Sequence, residues 1–189
     1  MLFRSNLPDG EPTRLTEGTD FEFDPSFSSD GRYLTFVSWS DENMGAIHTL
    51  DIQRRGRRGR VNTPVKITTD KGIYREPSFS PDGKTLVFRK EGGNGQQGFA
   101  YTVEPGIYTI PADGGESTKI TNGGAFPQYN AAGDRIFYQG GGYLFGSIEK
   151  SLNSVDLNGE DQLTHFTSRY AHKFVPSPDN KWIAFSNLY

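Results

Sequence analysis

The sequence contains no cysteine among its 189 residues. That excludes a disulfide framework, a thiol nucleophile and a cysteine-ligated metal or cluster. It leaves the compartment open, because cysteine-free folds work in oxidising and reducing surroundings alike. No apolar run approaches the ~20 residues that a membrane helix needs. Residues 1–10 lack the apolar core of a signal peptide, so any export signal is expected outside this sequence. Charge of one sign is also missing: 20 Lys and Arg against 23 Asp and Glu leave a net charge of −3. A surface so mildly acidic gives no electrostatic reason to expect nucleic acid or a membrane as partner. Histidine is scarce, and His48, His165 and His172 do not stand at the i, i+2 or i, i+4 spacing of a common metal pair. There is no Gly-x-Ser-x-Gly nucleophile elbow either. The residues therefore predict no catalytic constellation, no metal site and no cofactor.

What is abundant is turn-formers and rings. Twenty-three glycines, 14 Phe and 9 Tyr in a chain only 33% hydrophobic point to short strands joined by frequent turns. One segment recurs. Pro25-Ser26-Phe27-Ser28-Ser29-Asp30-Gly31 and Pro77-Ser78-Phe79-Ser80-Pro81-Asp82-Gly83 match closely, a weaker copy runs from Pro127 to Tyr138, and a fourth is Ser177-Pro178-Asp179-Asn180. The turn glycines or their equivalent stand 52, 50 and 47 residues apart, at 31, 83, 133 and 180. In Ser80-Pro81-Asp82-Gly83, Pro suits the second position of a type I turn and Gly the fourth. Asn180 takes the place of that glycine in the last copy and tolerates positive φ. Period-two alternation follows each turn, so each copy reads as a β-hairpin.

Further pieces recur in phase. Residues 47–52, 107–111 and 152–157 read as third strands, and 65–68, 118–121 and 162–164 as fourth strands. Asp113-Gly114-Gly115 and Asn158-Gly159-Glu160 supply the turns between them. Four strands per repeat of about fifty residues, with no helical periodicity, describe an all-β chain built as a β-propeller segment of four-stranded antiparallel blades. A single unit over 1–189 is expected, with whole blades at roughly 17–68, 69–121 and 122–164 and partial blades at 1–16 and 165–189. Pro8 to Thr16 resembles Ala112 to Thr121, so the chain is expected to open on a fourth strand, while the last blade stops before its third. Unpaired strand edges of that kind invite self-association.

Three motifs need weighing. Gly93-Asn94-Gly95-Gln96-Gln97-Gly98 matches GxGxxG, but β-formers and Pro105-Gly106 follow where a dinucleotide site needs a helix, so it reads as part of a long flexible loop over 90–106. Loops that long often contact partners. The five arginines within 54–60 have no interleaved aromatic rings for base stacking, and read as a solvated loop or an acidic-protein contact. Asp20-Phe21-Glu22-Phe23-Asp24 alternates acids with rings. It would put three carboxylates on one strand face, which reads as a solvated face rather than a cation site.

The Ser-Pro-Asp-Gly-Lys turn, the apolar strand ending in Phe, the Ile-Tyr strand and the Gly-Gly and Ile-Thr pieces together resemble the TolB-type β-propeller repeat over essentially the whole chain. Such repeats occur in periplasmic TolB, in tricorn-like and prolyl-oligopeptidase-like peptidases, and in bacterial amidohydrolases with an N-terminal propeller. Tyr74 to Phe79, Pro105 to Tyr108 and Phe174 to Asp179 look most like the last group. The resemblance implies a non-catalytic scaffold for protein or ligand contact, periplasmic or secreted. It would belong to a larger exported hydrolase whose metal-binding barrel lies beyond Tyr189. Its partner would be a protein, a peptide, or a catalytic domain of the same parent chain. In this family the strand before each turn lines the central channel, which implies channel or partner contacts for Asp24, Arg75, Glu76, His172 and Lys173. The alternative is a propeller with its own channel active site, of polysaccharide lyase or glycosidase type, using Asp24, Glu76 and His172.

Overall fold

The computed structural model describes residues 1–53, 63–94, 99–100, 104–141, 149–177, 179 and 181–187. The Arg54–Arg60 run, Gly95 to Gly98 of the glycine motif, and Asn180 lie outside the described residues. Every regular element described is a β-strand. Strands β3 (Phe21–Phe27), β4 (Tyr33–Ser40), β5 (Met44–Asp51) and β6 (Val65–Lys66) form one antiparallel sheet in chain order. A second comprises β7 (Ile73–Phe79), β8 (Thr85–Glu91), β11 (Gly106–Pro111) and β12 (Thr118–Thr121). A third comprises β13 (Ala125–Tyr129), β14 (Arg135–Gly140), β15 (Lys150–Asp156) and β16 (Leu163–Ser168). Two-stranded sheets flank these at either end: β1 (Phe3–Arg4) with β2 (Thr13–Arg14), and β17 (Ala171–Pro176) with β18 (Ile183–Asn187). Between β8 and β11, β9 (Gly93–Asn94) and β10 (Phe99–Ala100) pair as a small hairpin. The expected flexible loop is thus partly a ribbon.

Each hairpin turn is fixed by its own side chains. The Ser28 and Ser80 hydroxyls donate to Asp30 and Asp82 at 2.6 and 2.7 Å, and the same carboxylates accept the amides of Arg32 and Lys84. The third copy uses Asn130, whose side chain bridges Asp134 and the Arg135 amide. Gly31, Gly83 and Gly133 stand at φ +66°, +72° and +76°, a left-handed conformation that costs glycine little.

The core lies between the sheets, because successive strand residues point to opposite faces. Val37 and Ile47 of the first sheet meet Tyr74, Leu86, Phe88 and Tyr108 of the second. Val87 and Ile107 on its other face meet Ile136, Tyr138 and Val155 of the third. The outer edges reach forward: Ile67, just past β6, and Ile120 of β12 join the core shared with the next sheet. Burying each such side chain is worth about 1.5–3 kcal/mol.

The opening segment holds more than the single strand expected. The Leu15 amide donates to the Leu2 carbonyl at 2.8 Å and the Leu2 amide to the Thr16 hydroxyl at 2.8 Å. The Ile67 amide to the Ile47 carbonyl, and the Ile47 amide to the Thr68 hydroxyl, repeat the pattern at 2.8 and 3.0 Å. β1 therefore stands as a third strand and β2 as a fourth, and Leu2 and Leu15 pack on Leu34, Phe36 and Leu50 of the first sheet.

Candidate functional site

The innermost strands β3, β7, β13 and β17 share one irregularity at one place. Two residues oppose one across the ladder: Asp24-Pro25 face Phe36, Glu76-Pro77 face Phe88, Phe126-Pro127 face Tyr138, and Lys173-Phe174 face Phe185. Proline has no N–H to offer the ladder, which explains a bulge at three of the four sites. The first bulge residue is in the left-handed region each time, with φ of 51° at Asp24, 56° at Glu76, 52° at Phe126 and 57° at Lys173. Such conformations are costly for residues with a Cβ and persist only when their surroundings hold them.

What holds them is a chain of bonds from blade to blade. The Asp24 carboxylate accepts the Glu76 amide at 3.0 Å, and the Glu76 carboxylate accepts the Phe126 amide at 2.6 Å. Phe126 has no acceptor to pass on, and the Lys173 amide is instead taken by Gln139 Oε1 on β14, at 2.8 Å. Gln139 is buried, and the Gln128 side-chain amide adds a bond to the Phe174 carbonyl at 2.9 Å. Arg89 holds the second oxygen of Glu76 at 3.0 Å and also contacts Glu91 at 2.8 Å. Burial pushes the Glu76 carboxyl above its ordinary range, and the Arg89 guanidinium opposes that shift.

Asp24, Glu76 and Lys173 meet around a hollow of about 200 Å³, with Phe126, Pro127 and Gln128 among its walls. A wider cleft of about 690 Å³ opens beside it between the second and third sheets, lined by Asp24, Arg75, Glu76, Lys90, Gly124 and Gln139 among others. The Arg75 guanidinium lies 4.8 Å from the Phe23 ring centre, and Lys90 Nζ lies 4.7 Å from that of Tyr108. His172 stacks edge-on against Phe126 at 5.2 Å. Four of the five expected residues thus line one or both hollows, and His172 adjoins them through Phe126. Sequence reading missed Arg89, Phe126, Gln139 and Lys90. Phe126 carried a signal, because Phe126-Pro127 aligns with Asp24-Pro25 and Glu76-Pro77 in the repeat.

The acidic stretch 20–24 does not present three carboxylates together. Glu22 accepts the Thr16 hydroxyl and the terminal amine, the latter at 3.0 Å, while Asp24, at the bulge, lines the smaller hollow. His48 and His165 each pair with a serine hydroxyl, Ser38 at 2.9 Å and Ser154 at 2.7 Å, and stack on Phe36 and Phe137. Burial lowers the pKa of both imidazoles, and Lys66 adds to the effect at His48. No three His, Asp or Glu side chains among the described residues are placed to share a metal ion, and no described helix is long and apolar enough to cross a membrane.

No protein-family model matches the chain. A 79-residue stretch, 42% of the chain, is 40% identical to the Tol-Pal system protein TolB of Francisella tularensis subsp. mediasiatica and covers 16% of that protein. The crystal structure of TolB from Acinetobacter baumannii superposes with a TM-score of 0.70 at 23% identity, over 94% of this chain and 41% of that one. The fold is that of a TolB-like β-propeller. An oligogalacturonate lyase in complex with manganese superposes with a TM-score of 0.69 at 14% identity, over 96% of this chain and 51% of that one. The TolB-like chain spans about half or less of each of these proteins.

Proposed function

We propose that the chain is a non-catalytic propeller scaffold that binds a protein or peptide at its channel mouth. The observation that carries this reading is the use of Asp24 and Glu76. Both carboxylates of the channel accept backbone amides of the next blade, and Glu76 is also held by Arg89. A general acid or base must reach its substrate's proton, and these two are committed to the scaffold. Arg75, Lys90 and Lys173 stand at the two hollows, Arg75 beside Glu91 at 3.8 Å, and within this mixed-charge lining they are the groups suited to a carboxylate terminus or an acidic side chain. The sequence match to a Tol-Pal system protein supports a periplasmic or secreted setting. The wording of the repeat at 74–79 and 174–179 supports a parent hydrolase of amidohydrolase type, with this scaffold beside its catalytic domain or an outside partner.

The test has two arms. The purified chain and its Glu76→Gln and His172→Ala variants are incubated with polyuronate and with peptides, and products are followed by mass spectrometry. No turnover is expected. Turnover by the wild type that vanishes in either variant would establish the lyase or glycosidase alternative. In the second arm an acidic peptide is titrated calorimetrically, and Arg75→Ala or Lys173→Ala should each weaken it roughly two- to fivefold, the worth of one exposed charge contact. Unchanged affinity in both would move the contact surface elsewhere.

A further inference from the structure

The junction of the first and second sheets holds a hollow of about 570 Å³ beside the hairpin turns. It lies at the opposite end of β8 from the cleft, with Lys84 at one end of that strand and Lys90 and Glu91 at the other. Its walls are largely apolar: Tyr33 and Val65 come from the first sheet, Phe79 and Ala112 from the second. Tyr33 and Ala112 rest on the core shared by the two sheets, and Phe79 belongs to it. Val65 keeps 56% of its surface exposed there. The volume falls within the roughly 300–1,000 Å³ of small-molecule sites, which are apolar with a few placed polar groups.

The repeat shows which side chains make the hollow. By strand register Tyr33 is equivalent to Thr85, Phe79 to Tyr129 and Ala112 to Leu157. At the junction of the second and third sheets the Tyr129 hydroxyl donates to Thr85 Oγ1 at 3.1 Å and ties the walls together. At the first junction Phe79 has no hydroxyl, Tyr33 is the residue across from it, and alanine stands where the other sheets carry Ile52 and Leu157. The walls are fixed all the same. Ser29 Oγ donates to the Pro81 carbonyl at 2.6 Å, turn to turn, and the Ala112 amide donates to the Lys84 carbonyl at 2.8 Å. The Arg32 guanidinium, held by Asp51 at 2.9 Å, lies 5.0 Å from the Tyr33 ring centre.

Two charges complete the lining. Lys84 is bonded through its carbonyl to Ala112, and Asp113 follows Ala112 in the chain, so a cation and an anion share one rim. Lys84 also contacts Asp82 at 3.7 Å, an exposed pair that parts at little cost. Ring walls favour a ring, while the rim offers one partner to a carboxylate and one to an ammonium. We propose that this hollow binds a free aromatic α-amino acid, its ring between Tyr33 and Phe79, its carboxylate toward Lys84 and its ammonium toward Asp113. A side chain within a bound polypeptide would bring the ring but neither charge.

The test titrates L-phenylalanine into the protein by calorimetry and ligand-observed NMR. Beside it run hydrocinnamate, phenethylamine and N-acetyl-phenylalaninamide, which lack the ammonium, the carboxylate and both charges. Phenylalanine should bind, and affinity should fall roughly two- to fivefold for each charge removed. Ala112→Leu restores the side chain of the equivalent position. It should keep or raise the melting temperature and weaken phenylalanine by roughly tenfold or more. Asp113→Asn should weaken phenylalanine but not hydrocinnamate, and Lys84→Met should weaken phenylalanine but not phenethylamine. Both positions are exposed, so these two variants decide the matter even where Ala112→Leu fails to fold. Absence of binding by phenylalanine, tyrosine and tryptophan overturns the proposal. So does binding that a folded Ala112→Leu variant leaves untouched. N-acetyl-phenylalaninamide binding as tightly as phenylalanine overturns it too, and would assign the hollow to a side chain of a partner polypeptide.

Discussion

The junction between the second and third blades and the junction between the third blade and the terminal half-blade answer the same need with different atoms. In both, a bulge amide held at positive φ points at the preceding blade and must find an acceptor there. At the first, the acceptor is Glu76, the bulge residue of the preceding inner strand, backed by Arg89. At the second, Phe126 occupies that position, and Gln139 of the neighbouring strand takes over. A charged residue facing a channel invites a functional reading. Here the comparison separates its two possible roles, because the amide is served whether or not the bulge residue is an acid.

The largest expected effect comes from breaking the charged junction. Glu76→Ala removes the acceptor of the Phe126 amide and one of the two carboxylates that hold Arg89. Losing a partner of a mostly buried, charge-assisted group should cost about 2–4 kcal/mol in urea unfolding. A loss under ~1 kcal/mol would mean that the bulge holds itself and that Glu76 is free for another task.

Breaking the neutral junction should cost less. Gln139→Ala strands the Lys173 amide, worth about 1–3 kcal/mol as an unsatisfied donor. The comparison sharpens with a rescue: adding Phe126→Glu to that background recreates the arrangement seen one blade earlier. At least half of the lost stability should return, measured as a double-mutant cycle. No recovery would show that the two junctions differ in more than their acceptors.

Much of this was legible in the sequence, and unevenly so. The turns were readable because Ser80-Pro81-Asp82-Gly83 fixes its own geometry through contacts within five residues. The four-strand repeat was readable because each outer strand restates the same apolar spacing. The bulges were not read, although three X-Pro pairs mark them, because a left-handed residue before proline runs against the usual preference there. The role of Asp24 and Glu76 was hidden for a different reason. Each serves an amide about fifty residues further on, and a single sequence displays no bond of that span. The third-strand identity of residues 3–4 was hidden because two residues are too few to show alternation; it emerges only from the bonds of Leu2 and Thr16.

The smallest effect asks what the charge itself contributes at the Glu76 junction. Glu76→Gln keeps an oxygen for the Phe126 amide but cannot ionise. Burial raises the Glu76 pKa in the folded protein above the ordinary value of 4.5. A carboxyl shifted upward adds to stability while it is protonated, and that contribution is lost as pH rises through its folded pKa. The melting temperature of the wild type relative to Glu76→Gln should therefore be most favourable near pH 4 and decline toward pH 7. A difference that grows with pH would reverse the ranking of causes, with the attraction of Arg89 outweighing the burial of Glu76. The charged junction would then be the stronger of the two at neutral pH by virtue of its charge, and not merely because an acceptor stands in the right place.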